Sequence, residues 1–283
     1  MFRLVAASRA VREAVPAEVL PVVLAVTALG GAKVPMVGLS LAYWNAEDHR
    51  EELLAVVATA FLALAVTLSL KWGFGLPRPP SSAYRSVTPD SPVGFPSGHT
   101  IAATTVYGGA LVAFDRHRDL RVAVPVAGVV AAVGLSRVVL GVHYLGDVIA
   151  GAAVGSLLLG ALVVALRRGP AVVFGLATVC AVPALFVAGD PGNVALALGG
   201  SLGGFLATLR WSATERFRSG VERVALSVAG LAFLAGALVV AEGGESNVVL
   251  AGGAYCVLAV GIVVLPGLVG RVDALAGRSS AGE

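Results

Sequence analysis

Residues 52–70 decide the fold of this chain, and they read ELLAVVATAFLALAVTLSL. A stretch of about 20 apolar residues is long enough to cross the roughly 30 Å hydrocarbon core of a bilayer as a helix. Similar blocks recur, and they predict spans at 20–44, 52–70, 98–114, 122–140, 146–166, 171–189, 192–209, 222–241 and 247–269. The first block is broken by Gly30, Gly31, Lys33 and Pro35, which predict either one tilted, kinked helix or a short interfacial helix that leads into a span. The expected fold is an all-α, polytopic transmembrane helix bundle.

The composition agrees with a membrane protein. Hydrophobic residues make up 57% of the 283 residues and charged residues 13%, whereas a soluble globular chain carries about a quarter charged residues. The net charge of +3 does not predict a nucleic-acid partner, because the basic residues lie in short loops between apolar blocks. Cys180 and Cys256 lie inside apolar spans and predict neither a disulfide framework nor a metal site. Three arginines near the amino terminus occupy the place where a secretory signal needs an apolar segment.

The charges of the loops predict the orientation of the bundle. One set of loops and chain ends is rich in arginine, namely Arg50, Arg116, Arg118, Arg121, Arg167, Arg168, Arg210, Arg216, Arg218, Arg223, Arg271 and Arg278. Such loops favour the cytoplasmic side, so the long polar segment 71–97 is expected on the extracytoplasmic side. Arg3, Arg9 and Arg12 disagree, because nine spans place the amino terminus on that outer side as well.

Cationic residues gather in segments that end at this outer side. Lys71 and Arg78 flank the start of the long loop, and Arg137 lies between two later spans. The planar fork of arginine matches phosphate oxygens. Ser97 occupies an N-cap position and Gly98 leaves its backbone N–H open at a helix start, where anions bind readily. These residues together indicate a phosphate site.

Two histidines and an aspartate accompany these cations. His143 and Asp147 are four residues apart and would share one face of a helix. The carboxylate could then orient the ring and leave the other nitrogen as a nucleophile, while His99 could protonate a leaving oxygen. The same three residues could alternatively bind a metal such as zinc. The neighbouring cations would repel a divalent ion, so neither a metal nor another cofactor is expected.

Three motifs carry a resemblance to a known family. Lys71-x6-Arg78-Pro79, Pro96-Ser97-Gly98-His99 and Ser136-Arg137-x5-His143-x3-Asp147 resemble the signatures of the type 2 phosphatidic acid phosphatase (PAP2) superfamily. That superfamily includes bacterial lipid phosphatases, glucose-6-phosphatase and vanadium haloperoxidases, and the resemblance covers roughly residues 20–166. It implies that His143 is the nucleophile, Asp147 its partner and His99 the general acid, without a metal. The phosphoryl group would be bound by Lys71, Arg78, Ser97, Gly98 and Arg137.

These observations predict a PAP2-like phosphatase core over residues 1–169 and an additional region of about four transmembrane helices over residues 170–283. The expected function is hydrolysis of a lipid phosphate or polyprenyl pyrophosphate in the cell membrane through a phosphohistidine, with a membrane lipid as substrate. Phosphoryl transfer to an alcohol and phosphate transport are the alternatives. The last spans contain few ionisable groups, which argues against an ion pathway. These spans are instead expected to serve as a helical anchor or as an oligomerisation unit that forms a homo-oligomer.

Overall fold

The computed structural model describes residues 2–46, 48–89, 91–211, 220–244 and 247–279, with side chains up to residue 268. This part of the chain is helical and contains no strand, apart from one isolated bridge between Pro77 and Val93. The helices are α1 (Val5–Ala14), α2 (Leu20–Ala28), α3 (Lys33–Asn45), α4 (Arg50–Phe74), α5 (Gly98–Ala103), α6 (Gly109–Ala113), α7 (Leu120–Val139), α8 (Leu145–Arg168), α9 (Pro170–Ala181), α10 (Ala184–Val187), α11 (Pro191–Arg210), α12 (Gly220–Gly243) and α13 (Val248–Ser279). The predicted all-α fold is confirmed. Arg216 and Arg218 of the predicted orientation set lie outside the described residues.

Most of the predicted spans are present. Within the described residues, seven segments are long and apolar enough to cross a membrane: α4, α7, α8, the continuous stretch Pro170–Val187, α11, α12 and α13 as far as Leu268. The pair Ala17–Ala28 and Lys33–Asn45 passes the same test together, with a bend of 48° at the break between the two helices. The first block is therefore bent at the predicted break. Four of the seven segments follow residue 169, as predicted.

The predicted span 98–114 differs from the others. A π-helical turn, Thr104–Gly108, joins α5 to α6, and the whole helix covers Gly98–Ala113. At about 1.5 Å per residue this helix is about 24 Å long, which is less than the thickness of a hydrocarbon core. Ile101 and Val106 are buried, and the helix packs against α4, α7 and α8. It is therefore an internal helix that is shorter than a full span.

Helix α4 forms the centre of the bundle. Ala55, Ala58 and Leu62 of α4 share a buried cluster with Leu162 of α8 and Phe174 of α9. The predicted carboxyl-terminal region thus packs directly on the predicted core. In a bilayer such helices associate chiefly through close packing, which small residues permit.

Small residues permit the closest helix contact in the carboxyl-terminal region. Gly199 and Gly203 of α11 lie against the backbone of α13, and a Cβ at Gly203 would lie 3.0 Å from the Cα of Cys256. Two helices can approach so closely only where one of them presents no side chain. This contact joins α11 and α13 into one unit that packs beside α4.

The long loop closes one end of the bundle. Gly75 adopts a φ of 59° and ends α4, since glycine enters the left-handed region without strain. The N–H of Arg78 then donates to Pro92 O at 3.1 Å, and the N–H of Gly94 donates to Leu76 O at 2.8 Å. These bonds fold the loop back on itself, so that it returns to the bundle where α5 begins.

Candidate active site

Four helix ends meet below this loop: the carboxyl ends of α4 and α7 and the amino ends of α5 and α8. They surround a cavity of about 450 Å³. Six of the eight predicted site residues line it: Lys71, Arg78, Gly98, His99, Arg137 and His143. Ser97 and Asp147 are fully buried and are not part of the cavity wall. The structure thus brings three distant segments of sequence into one site.

The imidazole of His143 is fixed between Arg78 and Asp147. Nη1 of Arg78 lies 3.0 Å from Nε2 of His143. A guanidinium group can only donate, so Nε2 accepts this bond and carries a lone pair. The proton of the neutral ring is then on Nδ1, which faces Oδ2 of Asp147 at 3.5 Å. Nε2 is therefore the nitrogen that can act as a nucleophile.

The contact between His143 and Asp147 arises differently from the prediction. The two residues do not share a helix face, because α8 begins only at Leu145 and His143 lies before it. Asp147 is in the first turn of α8, and Oδ2 accepts the backbone N–H of Tyr144 at 2.9 Å, as carboxylates commonly do at helix starts. The distance of 3.5 Å to His143 is longer than a normal hydrogen bond. Catalytic hydrogen bonds often shorten when the substrate binds.

The surroundings of His143 keep its ring neutral. Burial in the loop between α7 and α8 is the largest cause of a pKa lowered to about 3. Asp147 opposes this effect and raises the pKa, whereas Arg78, Lys71 and Arg137 lower it further. Because an unprotonated ring has a free lone pair at neutral pH, His143 meets the first requirement of a nucleophile.

The cations are held in place but keep bonding capacity. Arg78 donates from Nε to Ser91 O at 2.6 Å and from Nη1 to Val142 O at 3.0 Å. Arg137 donates from Nη1 to Oγ1 of Thr27 at 2.8 Å. Its buried Nε has no hydrogen-bond partner among the described residues. A buried donor left in this way is costly, and an oxygen of a bound phosphate would satisfy it.

Gly98 and His99 occupy the start of α5 beside these cations. A Cβ at Gly98 would lie 3.1 Å from Cγ2 of Thr67 and 3.8 Å from Nζ of Lys71. The missing side chain therefore allows the first turn of α5 to pack closely on Thr67 of α4, beside the ammonium group of Lys71. His99 lines the same cavity and faces the bend of the first span, where a Cβ at Gly31 would lie 3.8 Å from its Nε2.

Ser97 occupies the predicted N-cap position, but its hydroxyl group makes no capping bond. The hydroxyl accepts a hydrogen bond from Oγ1 of Thr100 at 3.0 Å. The backbone N–H of Ser97 donates to Asp147 O at 3.0 Å. Ser97 thus joins the start of α5 to the start of α8, and its binding of a phosphoryl group stays a prediction.

Arg3 is a residue of this site that the sequence did not predict. It donates from Nε to Oδ1 and from Nη2 to Oδ2 of Asp147, both at 2.8 Å. Nη1 donates to Pro77 O at 2.7 Å, and the guanidinium lies 4.5 Å from the ring centroid of Tyr144. Two parallel bonds of this kind hold a carboxylate in one orientation. The arginines that conflicted with the predicted orientation were the only hint of this contact in the sequence.

The amino-terminal segment docks on the start of α8. The N–H of Gly146 donates to Arg3 O at 3.2 Å, and the N–H of Leu145 donates to Oγ of Ser8 at 2.8 Å. These bonds satisfy two amide groups that a helix start leaves open. A Cβ at Gly146 would lie 2.6 Å from Cα of Arg3, so only glycine allows this approach. The amino terminus therefore lies at the same end of the bundle as the candidate site.

The arrangement disfavours the metal alternative. Both oxygens of Asp147 accept hydrogen bonds from Arg3, and the residue lies outside the wall of the cavity. Across the described ranges, no group of three His, Cys, Asp or Glu side chains is close enough to hold an ion. His99, His143 and Asp147 thus do not form the ligand set that their types had suggested.

Replacement of Gly141 by alanine is expected to lower the midpoint of thermal unfolding in detergent. Gly141 has a φ of 75° in the turn before His143, and its Cβ would collide with the carbonyl oxygen of Ala83. Such a strained backbone costs on the order of 1–3 kcal/mol. Gly128→Ala in α7 is the matched control, since a Cβ there meets nothing within 4 Å. Equal unfolding midpoints for the two variants would contradict the expectation.

One part of the chain matches a known protein family. Residues 52–169 match the family model described as the PAP2 superfamily. Comparisons with curated proteins and with solved structures gave no match. The matched range contains all eight predicted site residues, whereas Arg3 and the helices after α8 lie outside it.

Proposed function

On the premise that residues 52–169 belong to the PAP2 superfamily, we propose that this chain is a membrane phosphatase that hydrolyses a lipid phosphate or pyrophosphate through a phosphohistidine. The observation that carries the proposal is the environment of His143. The 3.0 Å contact from Arg78 assigns the lone pair to Nε2. The same ring is buried among cations that would attract the phosphate.

The first step is transfer of the phosphoryl group to the enzyme. Lys71, Arg78 and Arg137 hold the phosphate oxygens and stabilise the charge that they carry in the transition state. The hydrogen bond from Arg78 to Nε2 of His143 is exchanged for one to a phosphate oxygen, which frees the lone pair on Nε2. That lone pair forms a bond to phosphorus, and the bond from phosphorus to the leaving oxygen breaks. The negative charge of the bound phosphate offsets the surrounding cations and favours a protonated His99, which gives its proton to the leaving oxygen. Asp147 stabilises the positive ring that results.

The second step releases phosphate. His99, now unprotonated, takes a proton from a water molecule as the oxygen of that water attacks phosphorus. The bond from phosphorus to Nε2 breaks, and the electron pair returns to the ring. In this scheme Arg3 acts as a positioning residue, because it fixes both oxygens of Asp147 and so fixes the carboxylate that faces Nδ1. The histidine and the cavity return to their starting states.

We further propose that the site faces away from the cytoplasm of the cell membrane. The end of the bundle opposite the site carries Arg116 and Arg118 between α6 and α7, Arg121 in the first turn of α7, and Arg167 and Arg168 at the end of α8. Clusters of arginine in short loops favour the cytoplasmic side. Modification of a cysteine introduced at exposed Ser82 in the site loop by an impermeant reagent, in intact cells, tests this orientation. Labelling only after the cells are broken would reverse the assignment.

Rapid quenching with a radiolabelled lipid phosphate tests the covalent step directly. The reconstituted chain is expected to carry a label that is stable in alkali and lost in acid, as a phosphorus–nitrogen bond is. Release of inorganic phosphate shows hydrolysis, whereas labelled glycerol phosphate formed in the presence of glycerol would show phosphoryl transfer to an alcohol. Turnover without any trapped label, under conditions in which phosphoryl transfer outpaces release, would contradict the phosphohistidine.

Chelation is expected to leave turnover unchanged. The charge on the phosphate is met by Lys71, Arg78 and Arg137 in this scheme, so no step needs a divalent ion. The measurement is the initial rate of phosphate release from purified protein before and after dialysis against EDTA. A parallel assay with a zinc-dependent phosphatase confirms that the treatment removes bound metal. A rate that falls with EDTA and recovers with added metal would contradict the scheme.

A further inference from the structure

The cavity of the candidate site continues far into the bundle, and this continuation is not used by the phosphoryl chemistry. Along α4 its wall includes Lys71, Leu68, Leu64, Phe61 and Leu54. Their spacing of three to seven residues places them on one face of the helix. Lys71 and Leu54 are 17 positions apart, which corresponds to about 25 Å along a helix. One cavity thus joins the cationic site to the opposite end of α4.

The second wall comes from helices outside the family match. Leu196 of α11 and Leu258 and Ile262 of α13 line the cavity, together with Met36 and Leu39 of α3. Asn193, at the start of α11, lines the same cavity as Lys71. The carboxyl-terminal region therefore forms one side of the cavity from the site downward. At the far end, the hydroxyl group of Tyr43 donates to Val263 O at 3.1 Å, and both residues line the cavity.

The length of the cavity favours a long hydrocarbon chain. Its wall follows α4 from Lys71 to Leu54, which is about 25 Å of helix. One leaflet accounts for about half of the roughly 30 Å hydrocarbon core. A cavity of this depth therefore accommodates a chain longer than one leaflet.

We propose that this cavity is a chain tunnel, in which the hydrocarbon chain of a polyprenyl phosphate or pyrophosphate lies between α4 and the carboxyl-terminal helices α11 and α13. The inference rests on the proposed function, because the phosphate of the same molecule must occupy the cationic end. The two ends are complementary to such a substrate: cations at His143, and apolar side chains below them. The carboxyl-terminal helices then select the substrate by the length of its chain.

The selection is expected to come from shape. A chain that leaves the bilayer for the tunnel exchanges one apolar environment for another, since lipid chains are as apolar as leucine. Chain length therefore gives little hydrophobic gain in affinity. A side chain that fills the tunnel instead forces a steric clash with any chain that reaches it. Plugs at different depths should consequently exclude chains of different lengths.

Two tryptophan plugs test the tunnel. Leu196→Trp fills it near the site, and Ile262→Trp fills it near the far end. Leu202→Trp is the matched control, because Leu202 is on the same helix α11, is 41% exposed and lies outside the cavity wall. The assay compares kcat/KM for undecaprenyl pyrophosphate and farnesyl pyrophosphate, which share the headgroup and differ in chain length. All variants are measured in one detergent, and their unfolding midpoints are recorded alongside.

The expected result depends on the depth of the plug. Leu196→Trp lowers kcat/KM for both substrates by roughly tenfold or more, because both chains pass a plug near the site, and Leu202→Trp leaves both values as in the wild type. Ile262→Trp lowers kcat/KM for undecaprenyl pyrophosphate but leaves geranylgeranyl pyrophosphate, of intermediate length, equal to farnesyl pyrophosphate. Unchanged kcat/KM values for undecaprenyl pyrophosphate in both plugged variants, with folded protein, overturn the tunnel. If a plug unfolds the protein, a wild type that prefers phosphatidic acid to undecaprenyl pyrophosphate overturns it instead.

The outcomes separate this inference from the proposed function. A wild type that releases no phosphate from any of these substrates contradicts the proposed phosphatase itself. A wild type that hydrolyses all of them, with kcat/KM values that the plugs do not change, leaves the phosphatase in place and refutes only the tunnel. Lowered kcat/KM for undecaprenyl pyrophosphate in the plugged variants supports both.

Discussion

Replacement of His143 by alanine is expected to lower phosphate release by roughly 10⁴-fold or more, to the background of the assay. The ring supplies the attacking nitrogen, and no other described side chain in the cavity has a lone pair held between a cation and a carboxylate. The measurement is kcat with a lipid pyrophosphate, together with the amount of trapped phosphoenzyme. Both should disappear in the same variant.

Two further histidine variants make this result specific. His117→Ala removes a ring from the loop after α6, at the end of the bundle opposite the site, and should behave as the wild type. His99→Ala should still form phosphoenzyme when the leaving group needs no proton, but its second step should be slow, because His99 activates the water. Wild-type turnover in folded His143→Ala would remove the proposed mechanism.

The site could be predicted to the extent that its residues are local in sequence. Apolar runs predict helices, and the polar segment 71–97 predicts a loop at one end of the bundle. Lys71, Arg78, His99 and Arg137 must then meet near that end, because each is at the end of a helix or in a loop between helices. The residue types were sufficient to indicate a phosphate site, and the structure brings these residues to one cavity.

The geometry of His143 and Asp147 could not be predicted in the same way. A separation of four residues suggests a shared helix face only if the helix includes both residues. Here the backbone of Tyr144 is extended, with φ −83° and ψ 156°, so α8 starts after His143. The carboxylate of Asp147 caps that start and still faces the ring. Spacing alone does not distinguish these two arrangements.

The chain tunnel and the Arg3 contact depend on packing between segments that are far apart. Leu196 and Ile262 look like ordinary lipid-facing residues in apolar spans, and only the packing of α11 and α13 on α4 turns them toward a cavity. Arg3 is 144 residues from Asp147. No periodicity or local motif connects them, although an arginine on the outer side of a membrane protein is a reason to search for a buried carboxylate.

The guanidinium group of Arg3 joins three parts of the molecule: Asp147, the loop that contains Pro77, and the amino-terminal segment. Asp147 is fully buried, and Arg3 is 14% exposed. Removal of one partner of a buried ion pair leaves the other charge without compensation, which is strongly unfavourable. The carboxylate would then turn toward other donors, and the ring of His143 would lose its fixed orientation.

Arg3→Ala is therefore expected to lower kcat by roughly 10- to 100-fold, which is the usual effect of removing a residue that orients a reacting group. KM should change little, because Arg3 does not line the cavity. Arg3→Lys should recover part of the loss, since lysine restores the charge but cannot form both parallel bonds.

Arg9→Ala is the matched control: Arg9 is exposed and pairs with Glu13 on the same segment. The rate of phosphoenzyme formation in a single turnover distinguishes orientation from folding, because a purely structural loss would reduce the amount of active enzyme and leave that rate constant unchanged. A wild-type rate constant in Arg3→Ala would show that Asp147 holds His143 without help from the amino terminus.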